Sequence, residues 1–180
     1  VGANCDGIYK FDGNDVQRFG SENGLGNECV WSLMEESNGN KWTGTWGAGV
    51  YFSEPGSEKF ERFNPPIFED VSVFLSIFED SNGSIWFGTY SNGLFKSSNT
   101  ETIPITDSEG ETLAAVRMIF ESQNGDIFVA TDEGVGRLQG DEIDRIESIS
   151  ELGLSSFRTI AQDNFGRYWF GSYGSGLIVY

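Results

Sequence analysis

The chain has 180 residues, with 28 acidic side chains against 11 basic ones, which gives a formal net charge of −17. A surface this acidic repels phosphate backbones, and the few Lys and Arg residues are scattered, so no nucleic-acid binding is expected. The sequence has no histidine, which excludes a Ser-His-Asp triad, a His-ligated zinc and an imidazole base. Two cysteines cannot form a disulfide-rich scaffold, and no apolar run is long enough to span a membrane.

A sequence repeat sets the order of the predicted elements along the chain. Each copy contains a turn with glycine, an aromatic anchor and a trailing pair of glycine and an aliphatic residue. The anchors are spaced 44, 42 and 41 residues apart: Trp42, Trp86, Phe128 and Trp169. The trailing pairs begin at Gly7, Gly49, Gly93, Gly134 and Gly176. Four anchors and five trailing pairs in one register indicate a true repeat of about 42 residues.

Each repeat predicts strands rather than helices. Residues 73–80 are apolar on both faces, as expected of a strand that is packed on two sides. A turn with glycine then leads to a second strand over 84–89, and a third begins at Leu94. A fourth strand is predicted where a repeat ends, most clearly at 59–63 and 16–19. Four short antiparallel strands per repeat are typical of a β-propeller blade, so the chain is predicted to be all-β, with the anchor rings in the core between blades.

The predicted units form one β-propeller segment of four repeats. In chain order they are a partial blade at 1–19, blades at 20–63, 64–106 and 107–149, and a partial blade at 150–180. We interpret the segment as an arc of a larger propeller that is cut at both ends. In the alternative, Val16–Phe19 completes the last blade and closes a four-bladed ring. The arc is favoured because Gly7–Phe11 duplicates what Gly176–Tyr180 already provides.

An open arc would leave an apolar blade face at each end. We expect these faces to be lined by Ile8, Phe11, Phe170 and Ile178. Large exposed apolar faces favour association, so self-association is the predicted protein–protein contact.

Two segments resemble a known repeat family. Residues 30–50 read Val-x-Ser-Leu-x-Glu-x-Ser-Asn-Gly-x-x-Trp-x-Gly-Thr-x-x-x-Gly-Val, and residues 74–94 follow the same pattern. Both are similar to the two-component regulator propeller repeat, as are the lead-in segments at 24–27 and 153–156. The copy with Phe128 and Ala130 departs furthest from the pattern.

The resemblance implies a function as well as a fold. Repeats of this family form extracytoplasmic, periplasmic sensor domains of bacterial hybrid histidine kinases, and typical members sense carbohydrates and act as dimers. The resemblance therefore implies a non-catalytic, ligand-sensing segment with an oligosaccharide ligand. No cofactor, no metal and no membrane contact are expected within this segment.

The loops between the second and third strands contain the candidate ligand-binding residues. These loops should meet at one end of the propeller, and loops are where repeat scaffolds usually bind ligands. Trp46, Tyr90 and Tyr173 could offer flat aromatic faces, and Asn4, Asn92 and Asp132 could offer hydrogen bonds. Such a mixture suits a sugar site. In the alternative interpretation, which is favoured slightly, the rings only pack on neighbouring blades.

Three further points remain open on the sequence alone. Cys5 and Cys29 fall on the same predicted face, where a disulfide competes with two buried free thiols, and the thiols are favoured. A protein-interaction scaffold is the alternative function, since acidic charge and exposed edges suit it. Streptogramin lyase has a similar propeller, but its chemistry resembles that of a histidine base, so an enzyme is the less favoured hypothesis for this segment.

Overall fold

The computed structural model describes residues 2–3, 5–98 and 101–180. Blade 1 contains β1 (Gly2–Ala3), β2 (Gly7–Phe11) and β3 (Val16–Phe19). Blade 2 contains β4 (Val30–Glu35), β5 (Lys41–Thr45), β6 (Val50–Ser53) and β7 (Glu61–Phe63). Blade 3 contains β8 (Phe74–Glu79), β9 (Ile85–Thr89), β10 (Leu94–Ser97) and β11 (Thr102–Asp107). Blade 4 contains β12 (Val116–Glu121), β13 (Ile127–Thr131), β14 (Val135–Gln139) and β15 (Glu142–Arg145). Blade 5 contains β16 (Phe157–Gln162), β17 (Tyr168–Ser172) and β18 (Gly176–Val179).

The helical elements of the described chain are short. They are two 3-10 turns, Ser21–Asn23 and Pro66–Phe68, and the helix α1 (Glu147–Ser150). With four residues, α1 is far too short to cross a bilayer, and nothing else in the described chain forms a helix that could.

Successive strands within each blade pair antiparallel, which confirms the predicted fold class. Blades 3 and 4 also join edge to edge, because Thr106 and Asp107 of β11 pair in parallel with Glu142 and Ile143 of β15. The four-bladed ring proposed as an alternative is wrong. Strand β3 pairs with β2, and among the described residues the last sheet contains only β16, β17 and β18, so β3 does not complete it.

The core lies between successive blades. The anchor rings Trp42, Trp86 and Phe128 are buried, as expected, each in a cluster that includes side chains of the following blade. Close approach of the backbones is part of this packing. A Cβ added at Gly88 would lie 2.7 Å from the carbonyl oxygen of Val116 in blade 4, so only glycine allows the two blades to meet there.

A carboxylate six residues before each tryptophan anchor fixes its indole. The Nε1–H of Trp86 donates to Asp80 at 2.7 Å, and Trp169 donates to Asp163 at 2.9 Å. Trp42 donates to Glu36 in the same way, at 3.0 Å. In blade 4 both partners change together: the anchor is Phe128, which has no N–H to donate, and the position six residues earlier is a serine rather than a carboxylate.

The expected lining of the two end faces is half wrong. Ile8 and Phe170 are buried, because each packs towards the blade beside it. Phe11 is exposed as expected, and Ile178 is partly buried. Other exposed apolar residues of the two end blades include Val16, Leu177, Val179 and Tyr180.

Cys5 and Cys29 form a disulfide, so the preference for two free thiols is wrong. The reason is geometric: Cys5 lies in the turn between β1 and β2, and Cys29 lies directly before β4. The backbone N–H of Gly7 donates to the carbonyl of Glu28 at 2.9 Å, which brings these two segments together. Cys5 is also exposed rather than buried. The bond therefore links the turn of blade 1 to the start of blade 2.

Candidate functional site

A β-bulge occurs near the start of the first strand of blades 2 to 5. The pairing register shifts between Val30 and Ser32 in blade 2, and it shifts at the matching position in the other three. The bulged residues are Trp31, Leu75, Arg117 and Arg158. A bulge leaves one residue outside the ladder and re-aims its side chain.

The residue that begins each loop after the second strand lies 15 positions after the bulged residue in all four blades. These loop residues are Trp46, Tyr90, Asp132 and Tyr173. Each donates its backbone N–H to the carbonyl just before the bulge strand, as Trp46 does to Cys29 at 2.9 Å and Tyr173 does to Ser156 at 2.8 Å. The preceding hydroxyl fixes the loop, since Thr45 and Thr89 donate to the carbonyls of Gly49 and Gly93. The repeat thus places one bulged and one loop side chain at the same end of each blade.

The first half of the resulting surface is aromatic. The rings of Trp31 and Trp46 lie 5.2 Å apart within blade 2. Trp46 then contacts Tyr90 of blade 3, with their ring centroids 5.3 Å apart. Three rings from two blades therefore form one continuous aromatic surface.

The second half combines rings with charges. The Arg117 guanidinium lies 5.5 Å from the ring of Tyr90 and forms a two-point contact with Asp132, at 3.0 Å from Nε and 2.6 Å from Nη2. Arg158 of blade 5 reaches the same carboxylate through Nη1 at 3.0 Å and lies 5.8 Å from the ring of Tyr173. Hydrogen bonding from Arg117, with the charges of both arginines, holds the pKa of Asp132 below its ordinary value, against the opposing effect of partial burial.

These contacts form one band across blades 2 to 5, which we call the ribbon. In order, it contains Trp31, Trp46, Tyr90, Arg117, Asp132, Arg158 and Tyr173. Its aromatic members keep large parts of their surface accessible: the exposed fractions are 53% for Trp31, 38% for Trp46, 46% for Tyr90 and 78% for Tyr173. Trp46 and Tyr90 therefore pack against each other across two blades and also face solvent.

The structure brings four of the six predicted site residues into the ribbon: Trp46, Tyr90, Asp132 and Tyr173. Asn92 is half-buried, and its contacts are within its own loop, where its N–H donates to Thr89 and its side chain accepts from Ser91. Asn4 lies outside the described residues.

Sequence reasoning missed Trp31, Arg117 and Arg158. Each stands in a strand that reads as ordinary core, and strict alternation does not reveal a bulge. A signal was present in the constant spacing of 15 residues, which pairs each of them with a predicted loop residue.

Comparison with solved structures shows the fold of the described chain. It matches the extracellular domain assigned to a hybrid two component system of B. thetaiotaomicron with a TM-score of 0.71 and 29% identity, over 84% of this chain and 20% of that one. A second such domain from the same organism matches with a TM-score of 0.79 and 21% identity, over 97% of this chain and 25% of that one. The chain thus spans a fifth to a quarter of the length of these domains.

Enzymes with propellers share the fold at lower sequence identity. Streptogramin B lyase matches with a TM-score of 0.70 and 15% identity. That match covers 98% of this chain and 62% of the lyase. No curated protein sequence matches this chain.

The family model described as two component regulator propeller matches residues 68–91 and 151–174. The first segment ends at Ser91 and the second at Gly174, so each spans an anchor tryptophan and at least one ribbon residue. The resemblance drawn from the sequence is confirmed in these two segments: the chain contains two-component regulator propeller repeats.

Proposed function

We propose that this chain is a non-catalytic, carbohydrate-binding segment of an extracytoplasmic sensor in a two-component signalling protein. The observation that carries the proposal is the ribbon, where three exposed rings from two blades lie beside paired charges. Flat apolar faces flanked by a few fixed polar groups suit the recognition of a sugar ring. The structural similarity to extracellular domains assigned to hybrid two component systems supports the signalling context.

The disulfide supports an extracytoplasmic, periplasmic location. Disulfides form and persist in oxidising compartments, and they are rare in the cytosol. The Cys5–Cys29 bond also lies beside the aromatic half of the ribbon, because the carbonyl of Cys29 accepts the backbone N–H of Trp46. A crosslink at this point keeps the loops of blades 1 and 2 together.

Catalysis by a histidine base cannot be carried out by this chain, which contains no histidine. The charged groups of the ribbon are also committed to one another, since Asp132 is shared by Arg117 and Arg158. A carboxylate held ionised between two guanidinium groups is a poor proton donor or acceptor near neutral pH. These features favour binding without turnover.

The test is the substitution Trp46→Ala, with Phe165→Ala as the matched control. Phe165 is an exposed ring, at 86% against 38% for Trp46, in the hairpin turn of blade 5, away from the ribbon. On an array of neutral and acidic oligosaccharides, we expect Trp46→Ala to weaken binding about tenfold or more, because one stacking face is lost. Phe165→Ala should bind like the wild-type chain. The melting temperature of both variants should stay close to that of the wild type.

Two results would contradict this proposal. One is a wild-type chain that binds no oligosaccharide on the array. The other is a Trp46→Ala variant that loses thermal stability but binds sugars as before, which would make the ring a packing element only.

Self-association is a second candidate function. The exposed apolar side chains of blade 5, such as Leu177, Val179 and Tyr180, occupy one terminal sheet, and Phe11 and Val16 lie in blade 1 at the other end. Accessible apolar sheet faces favour contact with another protein surface. We propose that a second copy of the chain, or another protein, covers them.

A further inference from the structure

The ribbon carries a local excess of positive charge on a strongly acidic protein. Its charged members are two guanidinium groups and one carboxylate, whereas the whole chain has a net charge of −17. The nearest acidic neighbour in sequence, Glu133, is paired with Arg145 at 2.7 Å and leaves the balance of the ribbon unchanged. Positive charge concentrated at one point of an acidic surface favours an anionic ligand at that point.

The two arginines have different roles. Arg117 is mostly buried and uses both Nε and Nη2 on Asp132, so its geometry is fixed. Arg158 is more exposed and reaches Asp132 through Nη1. Among the described residues, its Nε and Nη2 have no hydrogen-bond partner, and these are the donors that a guanidinium uses for a second oxyanion.

Tyr173 lies beside these free donors. Its ring is 5.8 Å from the Arg158 guanidinium and is the most exposed ring of the ribbon. Arg117 contacts the ring of Tyr90, and Tyr90 in turn contacts Trp46. A ligand that spans the ribbon therefore meets aromatic faces at one end and unpaired guanidinium donors at the other.

We propose that the ligand of the ribbon is an acidic oligosaccharide, whose carboxylate or sulfate pairs with Arg158 while a sugar ring lies on Trp46 and Tyr90. The inference rests on the proposed function, which requires only that a carbohydrate binds. The overall negative charge opposes such a ligand weakly at contact, because charges beyond about 8 Å are screened at physiological ionic strength. By contrast, the proposed contact between the Arg158 guanidinium and the anionic group of the ligand acts at hydrogen-bond distance.

The test compares acidic sugars with their own neutral counterparts. The probes are oligosaccharides that contain uronic acids, each paired with its carboxyl-reduced form, and sulfated oligosaccharides, each paired with its desulfated form. Affinities are measured by titration calorimetry with the wild-type chain, Arg158→Gln and Arg167→Gln. Arg167 is the matched control, since it is an exposed arginine in the hairpin turn of blade 5 and pairs with Asp163 at 2.7 Å.

We expect at least one acidic sugar to bind about tenfold more tightly than its neutral counterpart. Arg158→Gln should remove that difference, whereas Arg167→Gln should preserve the difference. The pair in which the difference appears tells whether the oxyanion is a carboxylate or a sulfate.

Three outcomes overturn the inference. If every neutral counterpart binds as tightly as its acid, or if the preference survives in Arg158→Gln, Arg158 does not select an anion, and the proposed carbohydrate function stands. If no sugar of either kind binds, the proposed function fails together with the inference.

Discussion

Blades 3 and 5 carry the same motif in different surroundings. Both have a Trp-Phe-Gly run in the second strand, followed by glycine and leucine at the start of the third. In blade 3, Leu94 is fully buried and Trp86 is 1% exposed, because blade 4 packs on them. In blade 5, Leu177 is 60% exposed and Trp169 is only partly buried.

The difference shows that the motif determines the strands of a blade, whereas packing against a neighbouring blade determines how far the side chains of the motif are buried. A repeat that contacts only its neighbours gains much of its apolar burial from the interfaces between repeats. The same residue type should therefore contribute very different amounts to stability at the two positions.

The largest expected effect is that of Leu94→Ala against Leu177→Ala. Leu94 packs with Val116, Val129 and Ile143 of blade 4, so its truncation should lower the free energy of unfolding by about 2–5 kcal/mol. Leu177 is mostly in solvent, and its truncation should cost about 0.5 kcal/mol or less. Urea unfolding at equal protein concentration measures both.

An equal loss in the two variants would break the comparison. It would mean that Leu177 is buried in solution, and the loss should then depend on protein concentration. Sedimentation velocity on the wild-type chain and Leu177→Ala separates burial of Leu177 by self-association from burial within a single chain.

A smaller effect is expected from the indole hydrogen bond. Trp86→Phe removes the donor to the buried carboxylate of Asp80 and should destabilise the chain by about 1–3 kcal/mol, in addition to the change in ring volume. Trp169→Phe should cost less, because Asp163 is more accessible and also accepts from Arg167 at 2.7 Å.

The double variant Asp80→Ser with Trp86→Phe sharpens this comparison, because it reproduces the pairing found naturally in blade 4, where Ser122 precedes Phe128. There the serine hydroxyl accepts the backbone N–H of Asp126 at 3.0 Å and keeps the turn without a carboxylate. We expect the double variant to lose less stability than the two single variants added together. Strict additivity in a double-mutant cycle would show that the two positions are independent.

The order of blades was predictable because every repeat carries the same signals. Strand β9 (Ile85–Thr89) lies within the predicted segment 84–89, and strand β3 (Val16–Phe19) matches the predicted segment 16–19. Both predictions succeed because alternation and glycine turns are local properties of the sequence. The exposure of Leu177 was not predictable in this way, because it depends on the surface opposite rather than on the sequence around it.

The candidate site was predictable only in part, for a related reason. Loop residues such as Trp46 and Tyr90 follow directly from the repeat register, and the structure joins them in the ribbon. Arg117 and Arg158 depend on bulges, which shift the ladder by one residue without a change in the apolar pattern. The disulfide depends on the distance between two loops, and sequence spacing does not give that distance.

The smallest effect on stability is expected when the pH is lowered, and it involves Asp163 in the hairpin turn of blade 5. Partial burial alone would raise the pKa of Asp163, but hydrogen bonds from the Trp169 indole, the Arg167 guanidinium and two backbone N–H groups hold the pKa well below its ordinary value of 3.8. A depressed pKa stabilises the folded chain at every pH above the unfolded value, and this contribution is lost as the pH falls below about 4. The stability difference between the wild-type chain and Asp163→Asn should therefore stay constant from pH 7 to 5 and shrink towards pH 2.5.

Urea unfolding of both proteins across this range measures the effect, and a difference that persists unchanged at pH 2.5 would contradict it. The hydrogen bonds on Asp163 come from its own turn and its own blade. The effect should therefore survive in Leu177→Ala, because local hydrogen bonding needs no neighbouring blade. Loss of the acid dependence in Leu177→Ala would contradict this expectation. It would mean that the turn of blade 5 depends on packing against another blade, as Leu94 and Trp86 do in blade 3. The distinction between local hydrogen bonding and packing between blades would then fail at Asp163.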